Sequence, residues 1–324
     1  MMTREKHIEA IAALSLLHDG KEEALSLVDY MAAGDGPALK TILEKLSEVS
    51  LEEHLTALRS GDDFSGLAEI HPAWLCEVLK KESPRVVGVV LRHLPSKHVR
   101  YLLEHLPKRL CMELPKLIEA FYVPNELLDI LRRRVERHFV PLRISHEISR
   151  FSFEHLYYLR IEELEKLFID LGLSELALSL IGSSKQIVKI ILNRFSVQEA
   201  KEAFRRIKSF QTEPRWFVKD AKYSVLESGD EEMGASRFLN ELGLMAAAKA
   251  IARGEEGLLQ ALCQKMEPAA AYLLKRLWGE CHTASNADKW SKRQGWILEH
   301  VKQLSSTGKI DAFWSDCFAE ERAA

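Results

Sequence analysis

The chain has 324 residues, of which 47% are apolar and 29% are charged, the balance of a globular protein rather than of a disordered or membrane-embedded one. Lysine and arginine number 45 against 48 aspartate and glutamate, a net charge of −3, so no whole-chain field would hold a polyanion or an acidic membrane surface. Any such partner would need a local patch of charge.

The opening residues predict neither a signal peptide nor a membrane span. MMTREKHIEAIAAL has no uninterrupted apolar stretch long enough for a signal peptide, and charges recur too often for a spanning helix of roughly 20 residues. The five cysteines are an odd number, lie far apart and never form a C-x-x-C pair. We therefore expect a reducing cytosol, no disulfide framework and no thiolate metal site.

Gly34–Thr41 (GDGPALKT) is the first motif along the chain. It has the end points of a phosphate-binding loop, but Leu39 stands where that loop needs a glycine, and no strand is predicted before it. We interpret it as a helix start opened by Pro37. Because no H-E-x-x-H, G-x-S-x-G or spaced carboxylate motif appears in the sequence, we predict no catalysis and no cofactor.

Proline then marks off short helices. Pro72, Pro84, Pro95 and Pro107 lie 11 or 12 residues apart, which predicts helices of about two to three turns that open where a missing N–H costs least. Apolar residues recur three and four apart, as in residues 164–171, and hairpin turns between alternating runs are missing. We predict an all-α array of stacked short helices, elongated and divided into several domains, because such helices need neighbours on both sides.

Self-similar segments indicate related units within this array. Leu167–Ile207 aligns without a gap on Phe238–Trp278 at an offset of 71 residues, with six of 41 positions identical. Val78–Leu110 falls on the same apolar pattern at an offset of 89. We predict a first unit at residues 70–140, a second at 145–228 and a third at 232–324, after an N-terminal helical segment, residues 1–65, of unclear relation.

Residues 150–207 resemble the carboxy-terminal domain of the flagellar motor switch protein FliG. RFSF at 150–153 is similar to the family's Met-Phe-Val-Phe, and the helix after it leads into a segment similar to DLALALKGAS. HPAWLCEVLKKESPRVVGVVLRHLP resembles the FliG middle domain, with Glu82-Ser83-Pro84-Arg85 in place of Glu-His-Pro-Gln. The third unit, which ends ADKWSKRQGWILEHVKQLSSTGKI, resembles the carboxy-terminal domain again, so the resemblance covers roughly residues 70–315.

The resemblance implies an armadillo-like rotor component of bacterial motility and chemotaxis. FliG proteins lie at the cytoplasmic face of the inner membrane on the ring protein FliF, bind FliM through the middle domain and associate with copies of themselves in a ring. By carry-over, Glu82, Pro84 and Arg85 would meet a FliM-like partner. The hinge between the stacks would contain Arg150, Phe151 and Phe153, although both phenylalanines also fit the alternative of core aromatics at a helix junction.

The charged helix that faces the stator in the family differs in this sequence. The family has an arginine near the start and an acidic pair about a turn and a half later, whereas the second unit has Gln198 and then Arg205-Arg206. The third unit has Ala269 and then Arg276-Leu277, with Lys275 next to them in the same charged helix. Charges at an interface reject wrong partners. We therefore expect this helix to recognise a family-type stator surface differently from the family's own charged helix. The sequence leaves the stator contact open, with a solvated helix face as the alternative.

Two other functions stay open beside a rotor subunit. One is a helical-repeat adaptor of a nonflagellar type III secretion base, which would not work with a stator. The other is an RNA-binding array, suggested by the basic run Arg132–His138 (RRRVERH). Proteins that bind one RNA base per helical repeat need repeats at equal spacing, and the offsets here are 89 and 71. Glu136 pairing across one helical turn explains the basic run. We therefore expect protein partners, no nucleic acid and no direct insertion into a membrane.

Overall fold

The computed structural model of the chain describes residues 64–114, 123, 125–140, 150–228, 233–281 and 287–318. These ranges are mostly helical and contain no strand, which confirms the predicted all-α array. The helices are α1 Ser65–Ala68, α2 Pro72–Leu79, α3 Pro84–Arg92, α4 Ser96–His105, α5 Lys108–Glu113, α6 Asn125–Glu136, α7 Ile161–Ser179, α8 Lys185–Leu192, α9 Val197–Ser209, α10 Arg215–Glu227, α11 Ala235–Ala250, α12 Glu256–Gln264, α13 Pro268–Cys281, α14 Ala287–Ser306 and α15 Phe313–Asp316. Residues 153–158 and 210–212 form short 3-10 helices. The N-terminal segment, apart from its last two residues, and the helix start predicted at Pro37 lie outside the described residues.

The proline punctuation is confirmed in the first unit. Pro72 and Pro84 are the first residues of α2 and α3, where no intrahelical partner is lost. Pro95 and Pro107 are the residues immediately before α4 and α5. Proline therefore sets the starts of four consecutive helices and keeps each of them short.

The three units begin their helices at matching positions. Helices α8 and α9 start 71 residues before α12 and α13, the offset at which the two sequences align. Helices α2, α4 and α5 start 89 residues before α7, α8 and α9. In the first unit, Pro84 divides the segment that corresponds to the single long helix α7. The repeated pattern in the sequence therefore corresponds to repeated helix positions in the structure.

Two glycines bring α7 and α11 into backbone contact. A Cβ atom at Gly172 would lie 1.8 Å from the carbonyl oxygen of Leu239, and one at Gly243 would lie 1.9 Å from the carbonyl oxygen of Phe168. Gly172 and Gly243 are 71 residues apart, as are Phe168 and Leu239, so the crossing is reciprocal and follows a local pseudo-two-fold relation. The close approach explains why both units have Leu-Gly-Leu at this place.

The hydrophobic cores of the second and third units share these two helices. The first half of α7, including Leu164 and Leu171, packs in one core with the second half of α11, α12 and α13. The second half of α7 packs with α8, α9 and two residues of the first half of α11, Leu239 and Leu242. Neither sequence unit holds a core of its own, although the boundary predicted near residues 228–232 separates the sequence repeats.

The first unit has its own core and docks on the end of α12 in the third unit. The indole Nε1 of Trp74 donates to the carbonyl oxygens of Cys263 (3.2 Å) and Met266 (2.9 Å), so it caps the end of the helix. The backbone N–H of His71 donates to the carbonyl oxygen of Gln264 at 2.9 Å. The start of α2 therefore satisfies backbone groups that α12 leaves open at its carboxyl end.

A buried lysine joins the same interface. Lys265 Nζ donates to Glu69 Oε2 at 2.7 Å and to the carbonyl oxygen of Leu159 at 2.6 Å. Burial lowers the pKa of Lys265, and the carboxylate of Glu69 opposes part of that shift. The Gln264 side chain exchanges two hydrogen bonds with the backbone of Val140, at 2.9 and 2.8 Å. The ammonium group of Lys265 and the carboxamide of Gln264 therefore both pair with residues outside the third unit.

We expect Trp74→Phe to lower the free energy of unfolding by about 1–2 kcal/mol, because phenylalanine keeps the ring but leaves two carbonyl oxygens without their donor. Trp74→Ala should cost at least twice as much, since it also removes the ring packed edge-on against Tyr272. Urea unfolding of the two variants measures both values. A Trp74→Phe protein as stable as the unaltered chain would show that the indole N–H of Trp74 contributes nothing to docking.

Candidate partner-binding surfaces

The three residues predicted to meet a FliM-like partner lie at the start of α3. Pro84 is its first residue and is partly exposed, and Arg85 is exposed. The carboxylate of Glu82 is 8% exposed and accepts a hydrogen bond from Arg134 Nε at 2.8 Å. Glu82 therefore ties α3 to α6, and Arg85 is the charged group of the three that a partner can reach.

The predicted hinge residues fall into two environments. Phe151 and Phe153 are buried in the core shared by α7, α11, α12 and α13, whereas Arg150 is exposed. The ring of Phe151 lies 5.2 Å from that of Trp314 and 5.3 Å from that of Phe318, centroid to centroid. The interpretation of both phenylalanines as core aromatics is confirmed. A hinge at this place stays a prediction, and it would have to carry residues 314–318 with it.

Most of the predicted charged-helix residues lie on the surface. Gln198 and Arg205 on α9 and Lys275 and Arg276 on α13 are all exposed. Arg205 binds Glu202 through two hydrogen bonds, of 2.6 and 2.9 Å. The hydrogen bond from Arg205, together with Arg206, lowers the pKa of Glu202 to about 2. The exposed charge on α9 is thus partly neutralised by its own helix.

Arg206 is buried, so the expectation that it faces a stator or the solvent is wrong. Its Nη2 donates to Asp170 Oδ1 at 2.5 Å, its Nη1 to Ser174 Oγ at 2.5 Å and its Nε to Glu202 at 2.8 Å. Asp170 Oδ2 lies 2.8 Å from Nδ1 of His300. A guanidinium with five donors can enter a core only where acceptors surround it in this way. Arg206 therefore holds α9 to α7 and α14.

The repeat alignment contains the signal that would have placed Arg206 correctly. At the offset of 71 residues, Arg206 corresponds to Leu277, which is 5% exposed and belongs to the core that α7 shares with α11, α12 and α13. Its neighbours Ala203 and Ile207 are also buried on the inner face of α9. An arginine at a position that is apolar in the related unit indicates a buried ion pair as readily as a partner surface.

A second buried ion network was not predicted from the sequence. Arg293 on α14 donates to Glu175 Oε1 at 2.7 Å and also binds Asp220, while Lys249 Nζ lies 2.9 Å from Asp220 Oδ1. A cavity of about 320 Å³ beside it is lined by Asp220, Lys249, Arg293 and Trp216, among others. Because Asp220, Lys249 and Arg293 pair with one another, the network joins α10, α11 and α14, and we assign it no ligand.

Two arginines of the basic run at residues 132–138 are paired. Arg132 lies 3.4 Å from Asp129 and 3.8 Å from Glu136, which confirms the predicted pairing across one turn. Arg134 is engaged with Glu82, as described above. These two arginines therefore make structural contacts within the first unit, whereas Arg133 and Arg137 are exposed.

No family model matches the chain, and no curated protein is significantly similar to it. Among the residues that the structure describes, no helix is both long enough and apolar enough to cross a membrane. Over the same residues, no three His, Cys, Asp or Glu side chains are grouped so that they could hold a metal ion.

Proposed function

We propose that this chain is a FliG-like subunit of a flagellar motor switch, a noncatalytic assembly protein of the rotor. In this role it links a FliF-like membrane ring to FliM-like switch proteins at the cytoplasmic face of the bacterial inner membrane, and it associates with further copies in a ring. The observation that carries the proposal is the series of three helical units whose helices start at matching positions. The resemblance over residues 70–315 gives that series its functional assignment.

Docking through helix ends and helix faces supports an assembly role. The first unit binds the third through the start of α2 and the end of α12, with Trp74, Lys265 and Gln264 as the polar contacts. A repeat that already recognises another repeat in this way has surfaces suited to further units of the same kind. Arg85 at the start of α3 offers an exposed charge for a different protein.

The burial of Arg206 favours a second candidate, a helical-repeat adaptor of a nonflagellar type III secretion base. Of the residues carried over to the stator-facing helix of the second unit, Arg206 is inside the core and Arg205 is paired with Glu202. The two arginines of this helix therefore offer little charge that a stator could bind. Ring assembly does not need these residues, so it is compatible with both candidates.

We expect the double change Pro84→Ala with Arg85→Asp to weaken binding to a FliM-like protein at least tenfold, which corresponds to ~1.4 kcal/mol or more. Reversing the exposed charge at the start of α3 removes attraction and adds repulsion. Binding is measured by calorimetry, and circular dichroism checks that the helical content is unchanged. Arg109→Asp is the matched control, because Arg109 is an exposed arginine of the same unit on another helix, α5, and it should bind as the unaltered chain does.

Co-purification separates the two candidates. A rotor subunit should be recovered with FliF-like and FliM-like proteins from a flagellated cell. Recovery with secretion-base proteins, and without flagellar ones, would favour the adaptor. If the double variant at the start of α3 bound its FliM-like partner with unchanged affinity, the carried-over contact surface would be wrong, whichever candidate holds.

A further inference from the structure

The carboxyl end of α12 and the turn after it form a socket on which the start of α2 docks. The 3-10 helix 153–158 packs on α12 as well. We call residues 258–266 the third-unit socket and the corresponding residues 187–195 the second-unit socket. Leu258 and Ala261 are 8% and 4% exposed in the third unit. Their counterparts Ile187 and Ile190 are 49% and 68% exposed. The second-unit socket thus has two large apolar side chains that are exposed to solvent.

The polar residues of the two sockets also correspond. Gln264 and Lys265 are buried, and they bind Val140 and Glu69 on the side of the first unit and Leu159 of the second unit. Their counterparts are Asn193 and Arg194, a carboxamide and a cation again, and both are exposed. The second-unit socket therefore repeats the chemistry with which the third-unit socket recognises a helix start and the acid that precedes it.

The net charge of α8 and α9 indicates which kind of segment can bind the second-unit socket. Without the buried Arg206, residues 185–209, which form α8 and α9, contain six Lys and Arg against two Glu, a net charge of +4. The corresponding residues 256–280 contain three of each and are neutral. Two copies of such a basic face would repel each other, so the face is not suited to self-pairing. It suits an acidic segment.

Residues 1–63 of the chain have that character. They contain thirteen Asp and Glu against six Lys and Arg, a net charge of −7, and they precede the first described residue. They also contain the helix start predicted at Pro37, which the proposed function does not use. Asp35-Gly36-Pro37-Ala38-Leu39 has an acid before a Pro-Ala pair and a large apolar residue two positions after the proline, as Glu69-Ile70-His71-Pro72-Ala73-Trp74 does.

We propose that residues 1–63 dock on the second-unit socket, with the helix start at Pro37 in the place that the start of α2 occupies on the third-unit socket. Leu39 packs on Ile187 and Ile190, as Trp74 packs at the end of α12, and Asp35 pairs with Arg194, as Glu69 pairs with Lys265. The first unit of a second copy is a weaker occupant, because its Glu69 and Trp74 are already engaged within their own chain.

Photo-crosslinking in the full chain tests the proposal. Benzoylphenylalanine replaces Ile190, a position exposed enough to accept it, and mass spectrometry maps the adducts after irradiation. We expect adducts with residues 30–45, from the same chain or from a neighbouring copy; dilution tells which. Tyr272→benzoylphenylalanine is the matched control on the third unit, and it should crosslink to residues near Trp74, which it contacts.

Substitutions within the proposed contact sharpen the test. Asp35→Lys, Leu39→Asp and Arg194→Glu should each reduce the yield of the adduct at position 190 at least threefold and leave the adduct at position 272 unchanged. No adduct at position 190 while the control crosslinks, adducts only with the first unit of a second copy, or a yield that none of the three substitutions changes would each overturn the proposal. The result does not depend on the identity of any rotor partner.

Discussion

Replacing Gly172 by alanine is expected to lower the free energy of unfolding by about 3 kcal/mol or more, or to prevent folding. The added methyl group would lie 1.8 Å from the carbonyl oxygen of Leu239, and a backbone atom cannot turn aside as a side chain does. Helices α7 and α11 would have to move apart, and two cores would open with them. Gly243→Ala should act equally, because it meets the carbonyl oxygen of Phe168 in the reciprocal contact.

Gly257→Ala is the matched control for this crossing. Gly257 also lies within a helix, α12, but a Cβ atom there would meet nothing within 4 Å. Alanine should therefore stabilise the chain by ~0.5–1 kcal/mol through its higher helix propensity. Denaturant unfolding followed by circular dichroism gives the three values. If Gly172→Ala behaved like Gly257→Ala, the backbone contact between α7 and α11 would not exist in solution.

Arg206→Met is expected to cost about 3–5 kcal/mol, because it leaves the carboxylate of Asp170 buried with one partner fewer. Arg205→Met should cost less than about 1 kcal/mol, since the neighbouring arginine is exposed and its pair with Glu202 is screened by water. The two variants change adjacent residues of one helix and differ chiefly in burial. Equal losses in urea unfolding would contradict the assignment of Arg206 to the core.

The same pair of variants should differ in their response to acid. Burial alone would raise the pKa of Asp170, but hydrogen bonds from His300 and Arg206 hold it well below its ordinary value. A carboxyl group whose pKa is lowered on folding adds stability above its unfolded pKa of about 3.9, and that stability is lost as the pH falls toward the folded value. Unfolding measured from pH 6 downward should therefore show a shallower acid-side loss for Arg206→Met than for Arg205→Met.

Local signals were enough to predict where the helices begin. Proline has the same effect on the backbone wherever the chain goes next, so Pro72 and Pro84 could be assigned as helix starts from the sequence alone. The offset of 71 residues was also recoverable, because the apolar stripes of α8 and α12 face equivalent cores. Leu-Gly-Leu was visible as an identity, but nothing local showed that its glycine meets the backbone of another helix.

Contacts between units could not be predicted in the same way. The sequence shows that α8 and α12 are alike, yet it does not show that the first unit covers only α12. That difference depends on Trp74 meeting Met266 and on Glu69 meeting Lys265, each across almost 200 residues of chain. Arg206 was misplaced for a related reason: its charge indicated the surface, whereas Asp170 and His300, which make its burial possible, come from distant helices. Burial of charge is decided by partners that helical periodicity does not reveal.

The reciprocal crossing of α7 and α11 bears on how the chain arose. In each of the two later units, part of the long helix packs in the core of the other unit. A single ancestral unit would therefore have had an incomplete core with apolar side chains exposed to solvent. An identical copy, related by a dyad axis, would have supplied the missing half through the same glycine. Tandem duplication of the gene would then have fused an obligate homodimer into one polypeptide, after which the two halves were free to diverge, as Arg206 in one and Leu277 at the corresponding position of the other illustrate.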